Sequence, residues 1–280
     1  MSETASSGTS KRYQDLQARV LSAVALAGIS FVALAFGGWL FVAYVALLTA
    51  AMTFEWVRMA ATGRQASIAL WVIPTLAALA IGAFALAEGE PLAPALVLAI
   101  FGVGLTCNPR PLLAIGAAVV LAAGLSVLHL RGLEGGFTLV LWLVLCVTAA
   151  DIGGYFIGRS VGGPKLWPAV SPKKTWSGAL GSLALALVVA TGFGLAVGGS
   201  IFLWLAFGAL ITCVALAGDL LESSAKRRCG TKDSGAILPG HGGLLDRFDG
   251  HAAVFIAFAA VSTTIGLPEA LVGGYIATPL

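Results

Sequence analysis

Between Ser223 and Asp249 the chain reads S-S-A-K-R-R-C-G-T-K-D-S-G-A-I-L-P-G-H-G-G-L-L-D-R-F-D. Five of its 16 basic residues and three of its 13 acidic residues fall in this stretch, although the chain as a whole is 59% hydrophobic and only 10% charged. Each residue type brings a distinct capability. Aspartates supply hard oxygen donors for a cation such as Mg²⁺. Lys and Arg neutralise phosphate oxygens, and glycines let backbone approach a ligand closely. Together they predict a site for a polyphosphate and a metal.

Spacing refines this expectation. Asp219, Glu222, Ser223 and Lys226 recur at i, i+3, i+4 and i+7, so a helix there carries one polar stripe. Ionisable groups gathered at the end of an apolar run point to function. Lys232-Asp233 follow, then Pro239-Gly240-His241-Gly242-Gly243, then Asp246-Arg247-Phe248-Asp249. Asp246 and Asp249 are three apart, so a helical turn aims both carboxylates the same way, as a divalent cation bridging phosphates requires. Helix capping is the competing account of one aspartate but not of both. A second polar segment, 151–178, holds Asp151, Tyr155, Gly158, Arg159 and the run Ser171-Pro172-Lys173-Lys174-Thr175. It reads as an ordered turn presenting two cations and two hydroxyls, or as a basic loop with no specific ligand.

The elements that position these residues are membrane helices. Mean hydropathy is +0.96, and the apolar residues form long continuous runs, which argues for helices over a barrel. A span needs about 20 apolar residues. We read an all-α, polytopic transmembrane protein with about nine spans: Val20–Phe36, Trp39–Trp56, Ile68–Ala87, Leu92–Leu105, Leu112–Leu130, Phe137–Ala150, Ala179–Val197, Ile201–Gly218 and Ala252–Leu267. The fourth and sixth are short. Residues 1–19 form a cytoplasmic tail, 20–150 the N-terminal helices, and 151–280 a catalytic region with cytoplasmic loops 151–178 and 224–250. With the N-terminus inside, 15 of the 16 basic residues are cytoplasmic and only Arg131 lies outside, as the positive-inside rule favours. The expected location is a bacterial-type inner membrane with the active site facing the cytoplasm.

Four cysteines with no C-x-x-C pair give no zinc or disulfide framework. Glu55 is expected to pair with Arg58 at helical spacing. His129 is placed at the outer surface, and Trp39, Trp56, Trp167 and Trp176 at the interfaces.

At this level of detail the chain resembles the phosphatidate cytidylyltransferase, or CDP-diacylglycerol synthase, family. The resemblance rests on Ser223, Lys226-Arg227, Lys232-Asp233, Gly235, Leu238-Pro239, His241-Gly242-Gly243-Leu244 and Asp246-Arg247-Phe248-Asp249. Gly218 to Ser223 is also similar. So are Asp151, Tyr155-Phe156, Gly158-Arg159 and Ser171 to Trp176 in the first loop. Ala225 departs from a larger apolar residue, and Ser177 from a common acidic one. The likeness covers roughly the C-terminal half, and the N-terminal spans match only in general hydrophobic character.

The resemblance implies transfer of CMP from CTP to phosphatidic acid with Mg²⁺, alone or with a second cation. It also implies a homodimer, and no nucleic acid partner. Asp246, Asp219, Lys226 and Lys232 are then expected to be catalytic, with Asp246, Asp219 and Asp249 at the metal. Ser223, Arg227, His241, Gly242, Gly243, Arg247, Lys173, Lys174, Thr175 and Asp151 are expected to bind substrate. A CDP-alcohol phosphotransferase would carry D-G-x2-A-R with later paired aspartates, which this sequence lacks. The alternative of another class is an ion- or proton-coupled transporter using Asp151 and Asp219. It calls for inverted repeats or broken helices, and no repeat is evident.

Overall fold

The computed structural model describes residues 4–61, 66–87, 92–107, 111–235, 237, 242–268 and 271, with side chains from residue 20 onward. Among these residues there are nine long helices, one for each expected span. They are α1 (Thr4–Phe36), α2 (Gly38–Ala60), α3 (Ala66–Leu86), α4 (Ala93–Cys107), α5 (Pro111–Gly132), α6 (Gly136–Val161), α7 (Trp176–Val197), α8 (Ile201–Arg228) and α9 (Leu245–Thr264). Six of them, α2, α3, α5, α6, α7 and α8, are long and apolar enough to cross a membrane.

The short sixth apolar run is lengthened by the polar sequence that follows it: α6 runs for 26 residues, through Asp151 and on to Val161. The first polar loop is not a simple turn. Lys165–Trp167 (β1) and Ser171–Thr175 (β2) pair antiparallel in a small hairpin between α6 and α7. The hairpin gives the loop's backbone groups partners where no helix can continue.

Close packing of small residues joins the helices that carry the site. A Cβ on Gly153 of α6 would lie 2.3 Å from the Gly181 carbonyl oxygen of α7, so glycine permits the two backbones to meet, as membrane helices commonly do. Thr175 caps α7 by accepting a hydrogen bond from the Gly178 N–H at 3.1 Å. Ser177 donates its hydroxyl to the Gly162 carbonyl and so closes the base of the hairpin.

Aromatic packing fixes the middle of the C-terminal bundle. Trp142 of α6 stands edge-on to Trp204 of α8 at 4.9 Å and to Phe258 of α9 at 6.1 Å. Trp56 is not an interfacial anchor: it is only 5% exposed, and its indole N–H donates to the Leu113 carbonyl at 3.0 Å, tying α2 to α5. Trp39, Trp167 and Trp176 are exposed, as expected of interfacial indoles. His129 joins α5 to α9 through Ser262, with 2.7 Å between its Nε2 and the hydroxyl oxygen. Arg131 lies in the last turn of α5, at the opposite end of α6 from the hairpin, and its Nε donates to the Leu34 carbonyl at 3.1 Å.

Candidate active site

The hairpin between α6 and α7 touches α8. Lys174 of β2 ion-pairs with Asp219 of α8, which joins the two polar segments recognised separately in the sequence. The stripe on α8 is real. Ser223 donates to Asp219 Oδ1 at 3.3 Å, and Lys226 ion-pairs with Glu222 one turn back. Lys226 also reaches across to α9, where its Nζ lies 2.8 Å from Asp246 Oδ1. Its side chain is only 11% exposed, so this cation is held between two carboxylates.

Asp246 is the most heavily bonded residue of the site. Besides Lys226, it accepts from the backbone N–H of Ser234, at 3.2 Å to Oδ1 and 3.1 Å to Oδ2, and from Gly243 N–H at 3.0 Å to Oδ2. It lies in the first turn of α9, before the apolar stretch that begins at Ala252, where the helix dipole favours negative charge. Burial pushes its carboxyl up, but Lys226 and the two amides outweigh that and leave it below the usual carboxylate range. Helix capping does not account for Asp246: the N-cap residue of α9 is Leu244, without a side-chain cap bond, and Asp246 accepts from loop amides that precede the helix.

Asp249 lies one turn on. Its Oδ1 accepts from the Gly250 N–H at 2.7 Å. Burial, with Asp219, Glu222 and Asp151 nearby, pushes its carboxyl well above the ordinary value. Gly218 brings the two helices together, since a Cβ there would lie 2.5 Å from Ala253 Cβ and 3.1 Å from the Asp249 carbonyl. Asp151 of α6 faces the same group, within electrostatic reach of Asp219, Lys174 and Arg247.

This donor set suits a hard divalent cation: Asp151, Asp219, Glu222 and Asp249 are oxygen donors of like charge crowded into a partly desolvated site. Asp219, Asp246 and Asp249 are not yet gathered as ligands, because Asp246 is committed to Lys226 and to backbone amides. Among the described residues no three metal-ligating side chains stand at ligand spacing.

The other predicted residues divide by exposure. Lys173, Lys232, Arg227 and Arg247 are exposed, and Arg227 Nη1 donates to the Thr231 carbonyl at 3.3 Å, closing the end of α8. Thr175 is buried and its hydroxyl caps α7, so it does not present itself to a substrate. Gly242 is half-buried with φ 84°, a conformation suited to glycine. Gly243 is buried against Ser234. His241 lies outside the described residues.

One residue of the site was misread. Glu55 of α2 is 1% exposed and turns inward to the motif loop, whereas Arg58 is exposed. Its Oε2 accepts from Leu245 N–H at 2.8 Å and from the Ser234 hydroxyl at 3.3 Å. The available signal was a carboxylate inside an otherwise apolar span.

A cleft of about 660 Å³ between α1, α2, α5, α6 and α9 ends at this cluster. Its wall is mainly apolar, including Leu26, Phe31, Met52 and Phe255, while Thr148, Asp151 and Arg247 line it on the polar side.

Comparison with known proteins gives the family. The profile described as "Cytidylyltransferase family" matches residues 17–265. The phosphatidate cytidylyltransferase of Brucella suis is 36% identical over 278 residues, covering 92% of this chain and 98% of its own. The enzyme of the same name from Bacillus subtilis is 44% identical over 125 residues, covering 44% of this chain and 46% of its own. That from Helicobacter pylori is 46% identical over 115 residues, covering 41% of this chain and 43% of its own. Nothing among these relatives supports a transporter, and Asp151 and Asp219, the residues that reading relied on, sit in the same cluster as the motif aspartates. With a match that runs through both polar segments and the helices that bring them together, the chain belongs to the cytidylyltransferase family.

Proposed function

We propose that this protein transfers CMP from CTP to phosphatidic acid, forming CDP-diacylglycerol and pyrophosphate. The observation that carries the reading is the position of the charged cluster at the end of an apolar cleft. The two substrates differ in the same way: one is a water-soluble polyanion and the other an amphiphile with a phosphate head. An oxygen of the phosphatidate phosphate attacks the α-phosphorus of CTP, a new P–O bond forms, and the α–β bridging P–O bond breaks to release pyrophosphate. The attacking group is already an anion and needs little help from a general base. The chief obstacles are repulsion between two anions and charge on the leaving group, which cations relieve.

Arg247, at the polar side of the cleft, would hold the lipid phosphate. Lys173, Lys174, Lys232 and Arg227 would surround the triphosphate. Asp219, Asp246 and Asp249 would hold Mg²⁺, which when bound offsets phosphate charge. Lys226 keeps Asp246 ionised and oriented. Purified protein supplied with CTP, Mg²⁺ and phosphatidate is expected to form CDP-lipid and pyrophosphate in equal amounts. Absence of both would overturn the assignment.

The acyl chains belong in the cleft. Thr148 lines it one helical turn before Asp151. Thr148→Trp is therefore expected to raise the KM for phosphatidate about tenfold, in line with the cost of overpacking an apolar site, while the KM for CTP changes little. Equal effects on both substrates would exclude the cleft as the lipid site.

All nine helices are proposed to span the cell membrane of a bacterium, with the N-terminus and both polar segments cytoplasmic. The charge asymmetry supports this, as does Arg131 at the end of the bundle away from the hairpin. Single cysteines at exposed Trp167 and Asp233, with the native thiols removed, are expected to react only with reagent on the cytoplasmic side. Reaction from opposite sides would dismantle the shared site. A homodimer belongs to the same proposal and rests on the family resemblance alone.

A further inference from the structure

Among the described residues, Glu55 is a charged group that the N-terminal half of the bundle carries into the site. Glu55 lies on α2 beside the buried Met52, Trp56 and Val57. Burying a carboxylate is costly unless it is hydrogen-bonded, and an apolar residue would serve packing better. What the carboxylate obtains is specific. The N-cap residue of α9 is Leu244, which makes no side-chain cap bond. The Leu245 N–H would otherwise be an unsatisfied donor at a buried helix start, and Glu55 Oε2 accepts it at 2.8 Å. The same oxygen accepts the Ser234 hydroxyl at 3.3 Å.

The two halves of the motif loop close around this side chain. A Cβ on Gly235 would lie 2.4 Å from Glu55 Oε1, and one on Gly243 would lie 2.8 Å from Oε2. Glycine at these positions leaves the space that Glu55 fills. Ser234 and Gly243 are also the residues whose backbone N–H groups hold Asp246. Glu55 therefore binds the two strands of loop that in turn orient Asp246.

We propose that Glu55 is a positioning residue for the cytidylyl transfer, a cap supplied from α2 that fixes the start of α9 and the Ser234–Gly243 contact so that Asp246 faces Lys226 and the substrate. The inference rests on the function proposed above. It concerns acceptance of hydrogen bonds, so its test separates acceptance from volume and from charge. Glu55→Gln keeps a carbonyl oxygen that can accept both the Leu245 N–H and the Ser234 hydroxyl. Glu55→Met fills similar space but accepts almost nothing.

With CTP and phosphatidate, Glu55→Met is expected to lower kcat about 10- to 100-fold, with the KM for phosphatidate within about twofold, since the lipid cleft is left intact. Glu55→Gln should restore kcat to within about threefold of wild type. Ser234→Ala should lower kcat on its own yet add little to Glu55→Met, because the two share one contact. Wild-type turnover in Glu55→Met would overturn the proposal, as would a Gln variant as slow as the Met variant. The wild-type protein assayed alongside distinguishes the failures. No CDP-lipid from wild type refutes the function, whereas full activity in the Met variant refutes only the role of Glu55.

Discussion

Asp246→Asn is expected to lower kcat about a hundredfold or more, with the protein still folded. The substitution is nearly isosteric, but it removes the charge opposite Lys226 and replaces one acceptor oxygen with a donor. Asp246 uses both oxygens: Oδ1 meets Lys226 and Ser234 N–H, and Oδ2 meets Ser234 N–H and Gly243 N–H. An Asn amide cannot accept on both sides, so at least one backbone N–H or the half-buried Lys226 loses its partner. Losing an oriented charged group at a phosphoryl-transfer site commonly costs about 10²–10³ in rate. Turnover in the folded variant, measured across a Mg²⁺ titration, checks this. Wild-type rates at every Mg²⁺ concentration would show that Lys and Arg alone manage the triphosphate, and the carboxylate would then only hold the loop amides of Ser234 and Gly243.

Asp249→Asn is expected to move activity and stability in opposite directions. Asp249 is half-buried beside Asp219, Glu222 and Asp151, and its carboxyl is pushed well above the usual range by desolvation and by those neighbours. A site that crowds carboxylates costs stability until a cation enters. Asn removes the like charge while keeping the shape and the acceptor for Gly250 N–H. The metal-free variant should therefore melt a few degrees higher than wild type, a shift of the size that about 1 kcal/mol produces. Its turnover should fall by at least tenfold. Mg²⁺ should raise the melting temperature of wild type by mass action and raise that of the variant much less. If Mg²⁺ stabilised both equally, Asp249 would not be a ligand. A melting temperature below wild type would show that the carboxylate is satisfied as it stands.

Much of this site was legible because its geometry is local. The stripe Asp219, Glu222, Ser223, Lys226 needs only a helix, and α8 is one. Asp246 and Asp249 needed only the first turns of α9. The nine apolar runs correspond to nine helices among the described residues because a run of that length and hydropathy has no other way to satisfy its backbone in lipid. Even the meeting of the two polar segments was foreshadowed, since charge asymmetry put both on one side of the bundle.

What remained hidden depends on which helix faces which. In a soluble helix the buried face is marked by an apolar stripe, but here lipid and protein interior are equally apolar and no face is marked. That is why Trp56 read as an interfacial anchor when it ties α2 to α5, and why Glu55 read as a partner for Arg58 when it reaches Leu245, 190 positions along the chain. Lys174 and Asp219 are likewise joined only by the packing of α6, α7 and α8. Sequence alone determined the helices, the charged segments and the class of chemistry, because these follow from residue type and from spacing within a few turns. Tertiary structure alone decided that Asp246 is held by Lys226 and the Ser234 amide, and that a carboxylate from the N-terminal half supports the loop. Each is a contact between distant segments, and side-chain hydrogen bonds across such distances leave no period in the chain.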